Sequence, residues 1–277
     1  RADLRSARPF LFEMNRLLEA FAAATYGACW GSFLNVVIWR LPREESLVRP
    51  RSRCPKCGKS IAWFDNVPVL SWLLLKGRCR SCHKPVSARY PLVEAVVAGL
   101  AAGLWLWWPG RPLWAAAAAV CAGALVAVAL IDWDTFLIPD ELSLGLVVAG
   151  LLVSPCNPFL DPGPWGEWWR APFWSLRGAA FGFGLGWAMA AVGEWWFKQE
   201  AFGGGDVKLL AGIGAWSGVT GAYDALLVGS VLGAGYALVL LARGDLKRSD
   251  PIPFGPFLAA AAVLNLFRVL PFGWPLL

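Results

Sequence analysis

Long stretches without a charged residue dominate this chain. Ala20–Trp39 is twenty residues long and carries none. At about 1.5 Å per helical residue, such a run covers the roughly 30 Å hydrocarbon core of a bilayer. Leu92–Trp108, Leu113–Ile131 and Leu176–Phe197 are further apolar runs of spanning length, the first two divided by the turn Pro109-Gly110-Arg111-Pro112. Glu141–Val153, Val207–Trp216, Tyr223–Leu241 and Phe254–Leu270 complete a set of eight helices, two of them short. Hydrophobic residues make up 57% of the chain and charged ones 16%, against about 25% charged in soluble domains. Little surface is therefore built to face water. The fold class that follows is an all-α polytopic membrane protein of about eight transmembrane helices. The first run continues well past its Ala-x-Ala triplets and reads as a retained helix rather than a signal peptide. The first residue is not Met, which fits a processed or cloned fragment.

The charge that remains is unevenly spread. Between Pro42 and Tyr90 there are eleven Lys or Arg and three acids, Glu44, Glu45 and Asp65. A basic polar segment beside membrane helices marks the cytoplasmic side. By parity, Asp132–Asp140, Lys198–Asp206 and Arg243–Pro253 share that side. The N-terminal tail then lies outside despite Arg1, Arg5, Arg8 and Arg16, and an amphipathic surface segment would account for it. No recognition helix or aromatic-basic ladder accompanies the basic loop, which favours membrane lipid over nucleic acid as its partner. The segment 154–171, with Trp165, Trp168 and Trp169, reads as an interfacial loop with aromatic anchors. The expected division is a tail and first span at 1–41, a polar loop domain at 42–90, and a seven-helix membrane domain at 91–277.

That loop holds Cys54-Pro-Lys-Cys57 and Cys79-Arg-Ser-Cys82, two C-x-x-C pairs with 21 residues between them. Two such knuckles complete a tetrahedral site of four thiolates. The expectation is a structural Zn²⁺ on Cys54, Cys57, Cys79 and Cys82, with Lys56, Lys59, Arg78 and Arg80 offsetting its charge. Two disulfides or four unliganded thiols are the alternative, disfavoured in a reducing compartment. Four protein ligands leave no open catalytic position. His83 reads as a neighbour or surface residue rather than a ligand, and Cys29, Cys121 and Cys156 as packing residues. With one His in the chain, multi-His metal chemistry and HExxH proteolysis are excluded.

Acids collect in two further places, Asp132, Asp134 and Asp140 in IDWDTFLIPD, and Asp206 after Gly203-Gly204-Gly205. Taken singly, Asp140 and Asp206 also read as helix N-caps. Taken together, the clusters lie on one expected membrane face. Two facing carboxylates can share a proton, one activating water and the other acting as acid. The three glycines leave room for a substrate backbone.

These motifs resemble one family over nearly the whole chain. GSFLNVVIWRLP at 31–42, the paired C-x-x-C loop, NVPVLSWLLLKGRCRSC at 66–82, RYPLVEA at 89–95, IDWDTFLIPD at 131–140, GGGDVKLLAGIGAW at 203–216 and PFGPFLA at 253–259 are similar in content and order to the bacterial type IV prepilin leader peptidases, membrane aspartyl proteases of the GxGD class. The resemblance implies Asp132 and Asp206 as the catalytic pair, with Asp134 and Asp140 outside it. It implies prepilin or pseudopilin substrates cleaved at the cytoplasmic face of the bacterial inner membrane. It also implies methylation of the new N-terminus with S-adenosylmethionine, for which no G-x-G-x-x-G donor motif is visible. Glu94 in RYPLVEA has two readings, orienting the amine or pairing with Arg89. The rival classes are a zinc-stabilised transporter with a proton path and a secretion-assembly scaffold. The triple glycine and the lack of repeat-symmetric broken helices count against the transporter.

Overall fold

The computed structural model describes residues 4–160, 168–198, 202–247 and 250–269. Arg1, Trp165, residues 199–201 of the polar segment before Asp206, residues 248–249 and Leu270 lie outside them. The α-helices are α1 (Leu4–Arg40), α2 (Leu70–Leu74), α3 (Arg89–Trp107), α4 (Pro112–Thr135), α5 (Asp140–Val153), α6 (Ala171–Phe197), α7 (Gly204–Arg243) and α8 (Gly255–Phe267). Among the described residues there is no strand beyond two isolated bridges.

α7 has 40 residues, roughly 60 Å of helix, twice what a bilayer core needs. Gly218 interrupts it with φ 70° and ψ −171°, outside helical values. That break divides α7 where the apolar pattern separates Val207–Trp216 from Tyr223–Leu241. With α7 counted as two segments and the five-residue α2 set aside, eight helical segments match the expected eight. α1 differs from expectation by starting at Leu4, not Ala20. Hydropathy marks where a helix meets lipid. Arg5 and Arg8 do not stop the backbone ladder from forming further out. Four helical stretches are long and apolar enough to cross a membrane: Met14–Arg43, Arg89–Trp107, Pro112–Thr135 and Gly204–Arg243. Exposed Leu17, Phe21, Leu152, Trp187 and Val192 give the helices an apolar exterior. The protein is a membrane protein, and lipid rather than water suits that surface.

The chain divides into two compact units, residues 1–123 and 124–277. In the first, α1 packs on α3. Gly27 and Gly31, four apart, form a G-x-x-x-G face that brings the backbones together. A Cβ at Gly27 would sit 2.7 Å from the Cβ of Ala101, and one at Gly31 would sit 2.9 Å from the Cα of Glu94. In the second unit α5, α6 and α8 all pack against α7. Gly178 and Gly182 of α6 press onto the backbone of α7 at Gly214 and Leu210, with no room for a side chain between them. Ser175 and Asn157 donate to the carbonyls of Ala215 and Trp216 at 2.8 and 2.6 Å, next to the break at Gly218. Buried side-chain donors thus take up carbonyls that the interrupted helix leaves without partners.

Gly182→Leu should therefore lower the thermal midpoint of the detergent-solubilised protein sharply, because overfilling a packed contact costs about 1–3 kcal/mol or more. Gly184→Leu, where a Cβ meets nothing within 4 Å, should stay near wild type. Equal midpoints for the two variants would refute close α6–α7 contact.

Candidate active site and metal centre

Asp132 sits in the last turn of α4. Phe136 ends that helix in the left-handed region, φ 57°, its N–H bonding the Asp132 carbonyl at 2.8 Å. The Asp132 side chain is only 5% exposed. Its Oδ2 accepts the backbone N–H of Gly255, at the start of α8, at 2.9 Å. Asp206 lies three residues past Gly203, the residue that precedes the first turn of α7. Its carboxylate reaches back to the Gly203 N–H, and its Oδ1 is buried without a hydrogen-bond partner. Asp206 is thus not an N-cap, as one reading of the sequence had it. It fills the third-residue role that in a capping box closes back on the cap. Asp132 and Asp206 are near enough to interact electrostatically, so both acid clusters contribute to one site within the second unit.

The glycines around this site do different jobs. A Cβ at Gly255 would stand 2.7 Å from Asp132 Oδ2 and 3.0 Å from Ile138 Cδ1. A Cβ at Gly205 would stand 2.9 Å from the Cβ of Ile138. Ile138 therefore wedges between Gly205 and Gly255. Of the three glycines before Asp206, only Gly204 faces open space, with nothing within 4 Å. A Cβ at the exposed Gly203 would meet only Asp206 Oδ2, at 3.2 Å, so of the three glycines Gly205 alone is closed off by a packed side chain. Asp140 also differs from expectation. Pro139 occupies the N-cap position of α5, and no side chain caps it. Asp140 instead accepts Lys208 Nζ at 2.6 and 2.8 Å, joining the start of α5 to the first turns of α7. Asp134 is exposed. The sequence reading passed over Ile138, Lys208 and the fully buried Asp224. The PFGPFLA motif holds the one available signal for Gly255.

In the first unit, the two knuckles share one backbone pattern. Cys54 N–H bonds Lys59 O at 2.9 Å and Gly58 N–H bonds Cys54 O at 2.9 Å. Cys79 N–H bonds Lys84 O at 3.0 Å and His83 N–H bonds Cys79 O at 2.9 Å. Gly58 and His83 occupy the same left-handed position, φ 71° and 54°, so His83 is a turn residue. The Sγ atoms of Cys54, Cys57, Cys79 and Cys82 all lie within 4.8 Å of one another, those of Cys54 and Cys82 3.9 Å apart. A tetrahedron with bonds of about 2.3 Å needs sulfurs about 3.8 Å apart, so the four thiols form a cluster that could hold a metal. Backbone N–H groups, that of Lys56 foremost, hold the Cys54 thiol down to about 6 against the opposing effect of burial. At Cys82 the Lys84 N–H is outweighed by burial and the neighbouring cysteine sulfurs, which push that thiol up to about 11, so the crowded sulfurs favour one thiolate among them. Arg80 grips Asp65 with two bonds, Nε to Oδ2 at 2.8 Å and NH2 to Oδ1 at 2.6 Å, tying the turn Trp63–Asn66 to the second knuckle. Those bonds hold the Asp65 carboxyl below the usual carboxylate range.

Glu94, in the second turn of α3, is 9% exposed. Its Oε2 accepts the N–H of Val69 at 2.7 Å, and Ser32 of α1 also bonds the carboxylate. Of its two sequence readings, pairing with Arg89 is not what fixes this side chain.

Residues 25–108 match the family model described as the bacterial peptidase A24 N-terminal domain. Residues 119–238 match the type IV leader peptidase family. A Burkholderia pseudomallei (strain 1026b) protein named prepilin leader peptidase/N-methyltransferase is 40% identical, over 90% of this chain and 85% of its own length. Proteins of the same name from Pectobacterium carotovorum subsp. carotovorum and Aeromonas hydrophila are each 38% identical. They align with 88% and 85% of this chain, and with 91% and 86% of their own lengths. No solved structure matches.

The Asp140–Lys208 pair is partly exposed, 56% and 37%, and such pairs contribute about 0–1 kcal/mol. Asp140→Asn and Lys208→Met should each change stability by no more than that in denaturant titrations. A larger loss would show the pair to be a structural anchor rather than a surface contact.

Proposed function

Because the chain belongs to the type IV leader peptidase family, we propose that it removes the leader from type IV prepilins or related pseudopilins and methylates the amino terminus so exposed. The observation that carries the peptidase reading is the meeting of Asp132 and Asp206 in one buried site, in a chain with a single His. On this reading the two carboxylates share one proton. The ionised one takes a proton from water as that water attacks the scissile carbonyl. The protonated one donates to the carbonyl oxygen, and the proton later reaches the leaving amine. The Gly255 N–H orients Asp132, and the open face at Gly204 admits an extended substrate segment.

The four-cysteine cluster is assigned a structural Zn²⁺, bound by Cys54, Cys57, Cys79 and Cys82. Its bound role is to cross-link two knuckles in a segment with few buried apolar residues. The methyl-donor role belongs to S-adenosylmethionine, which supplies an electrophilic methyl on a sulfonium. The eleven-to-three excess of basic over acidic residues in 42–90 supports a cytoplasmic position for that segment in the bacterial inner membrane. The proposed division keeps the tail and first span at 1–41, the metal module at 42–90 and the membrane peptidase at 91–277.

Asp132→Asn and Asp206→Asn should each abolish nearly all prepilin cleavage in a gel-shift assay, and the double variant should be scarcely worse, because the two act as a unit. Gly255→Ala should also lose most activity, its Cβ colliding with the Asp132 carboxylate. A folded Asp132→Asn protein that cleaves at the wild-type rate would sink the assignment. Metal analysis should find about one zinc per chain, lost in the Cys54→Ser, Cys79→Ser double variant. Metal-free wild-type protein that stays folded would refute the zinc module.

A further inference from the structure

The two aspartates stand on different helices, Asp132 on α4 and Asp206 on α7, and the N–H that orients Asp132 belongs to a third, α8. Something must set the spacing among these segments, and one side chain touches two of them. Ile138 lies in the four-residue connection Phe136–Pro139 between α4 and α5. A Cβ on Gly205, in the first turn of α7, would stand 2.9 Å from the Cβ of Ile138, and one on Gly255, at the start of α8, would stand 3.0 Å from its Cδ1. The root of the side chain therefore meets α7 and its tip meets α8. Its neighbours Phe136 and Leu137 are 52% and 61% exposed, whereas Ile138 is half-buried.

The backbone around Ile138 is tied at both ends. The Phe136 N–H bonds the Asp132 carbonyl at 2.8 Å, and the Pro139 carbonyl accepts the N–H of Ser143 of α5 at 3.1 Å. The proline ring disfavours the α region for the residue before it and so biases Ile138 toward extended backbone. A β-branched side chain has little χ1 freedom. A stiff side chain on a tied backbone makes a spacer of set length. The same segment holds α7 a second time, through Asp140, which accepts Lys208 Nζ at 2.6 and 2.8 Å. These two contacts straddle Asp206, at Gly205 before it and at Lys208 after it.

We propose that Ile138 is a positioning residue for peptide hydrolysis, a spacer that sets the α7 start carrying Asp206 against the α8 start whose N–H orients Asp132. The assignment rests on the peptidase half of the proposed function, and Ile138 acts through the two acids rather than on the substrate. A shorter side chain leaves a gap between Gly205 and Gly255. The α8 start then shifts into the gap, and its N–H leaves the line to Asp132 Oδ2. Hydrogen bonds weaken steeply as they bend, and a misplacement of about 1 Å costs a reaction up to about 100-fold. Substrate affinity does not depend on that alignment, so the loss falls on kcat.

The test compares Ile138→Leu, Ile138→Val, Ile138→Ala and Leu137→Ala in the full chain in detergent, with kcat and KM for prepilin cleavage measured well below each thermal midpoint. Ile138→Ala should lose kcat by about tenfold or more, at the lower end of what misplaced acids cost, with KM within about twofold of wild type. Ile138→Leu keeps volume and reach and should restore kcat to within about threefold, as volume-conserving swaps disturb packing least. Ile138→Val, shorter by one carbon, should fall between them. Val costs the fold only about 0.5–1.5 kcal/mol, so it decides the matter if the Ala variant does not fold. Leu137→Ala should keep the wild-type kcat. A folded Ala or Val variant with wild-type kcat overturns the proposal. An equal loss in Leu137→Ala assigns the effect to the whole connection and overturns a specific spacer. A raised KM at unchanged kcat makes Ile138 a substrate contact and overturns the positioning role. Wild type that cleaves no prepilin overturns the peptidase reading itself, and this assignment with it.

Discussion

Backbone against backbone, with no side chain between, is the contact on which this structure depends. Lipid tails are as apolar as Leu, so helices inside a membrane gain little from hydrophobic burial against each other. Close van der Waals approach must hold them instead. Gly178 and Gly182 on Gly214 and Leu210 do this for α6 and α7, and Gly27 and Gly31 do it for α1 and α3. The same device builds the aspartate site. At Gly255 it admits the Asp132 carboxylate to within hydrogen-bond reach of a helix-start N–H. At Gly205 it lets Ile138 pack under the first turn of α7. A methyl group at Gly205 would push α7 away from Ile138, and one at Gly255 would push α8 away from Asp132.

Local chemistry was legible in the sequence. The C-x-x-C spacing places two thiols on each knuckle through hydrogen bonds spanning four or five residues, so each pair follows from adjacent residues alone, while the meeting of the two knuckles takes the folded loop. The break in α7 was also visible, as a gap in the apolar pattern around a glycine. What stayed hidden depended on pairing across long sequence distances. Asp140 reads as a cap because it follows a proline and precedes an apolar run. Its partner Lys208 is 68 residues away, and nothing local announces it. The three glycines before Asp206 read as one feature, yet only the folded chain shows that Ile138 occupies the space beside Gly205.

Glu94 shows why a buried acid in an apolar helix resists interpretation from sequence. Its nearest basic residue in the chain, Arg89, suggested an ion pair. The partners that fix it are a backbone N–H exposed by a γ-turn at Val69 and a hydroxyl from α1. The first has no residue-type signature, since any amino acid but proline could supply it, and the second comes from a helix distant in the chain.

The two chemistries proposed here place opposing demands on a proton, and that argues for two sites rather than one. Peptide hydrolysis ends by protonating the departing amine, so a pair of acids beside the scissile bond is an asset. Methyl transfer needs the same amine without its extra proton, because an ammonium has no lone pair to offer a sulfonium. An amine left between Asp132 and Asp206 would have an acid at hand to reprotonate it.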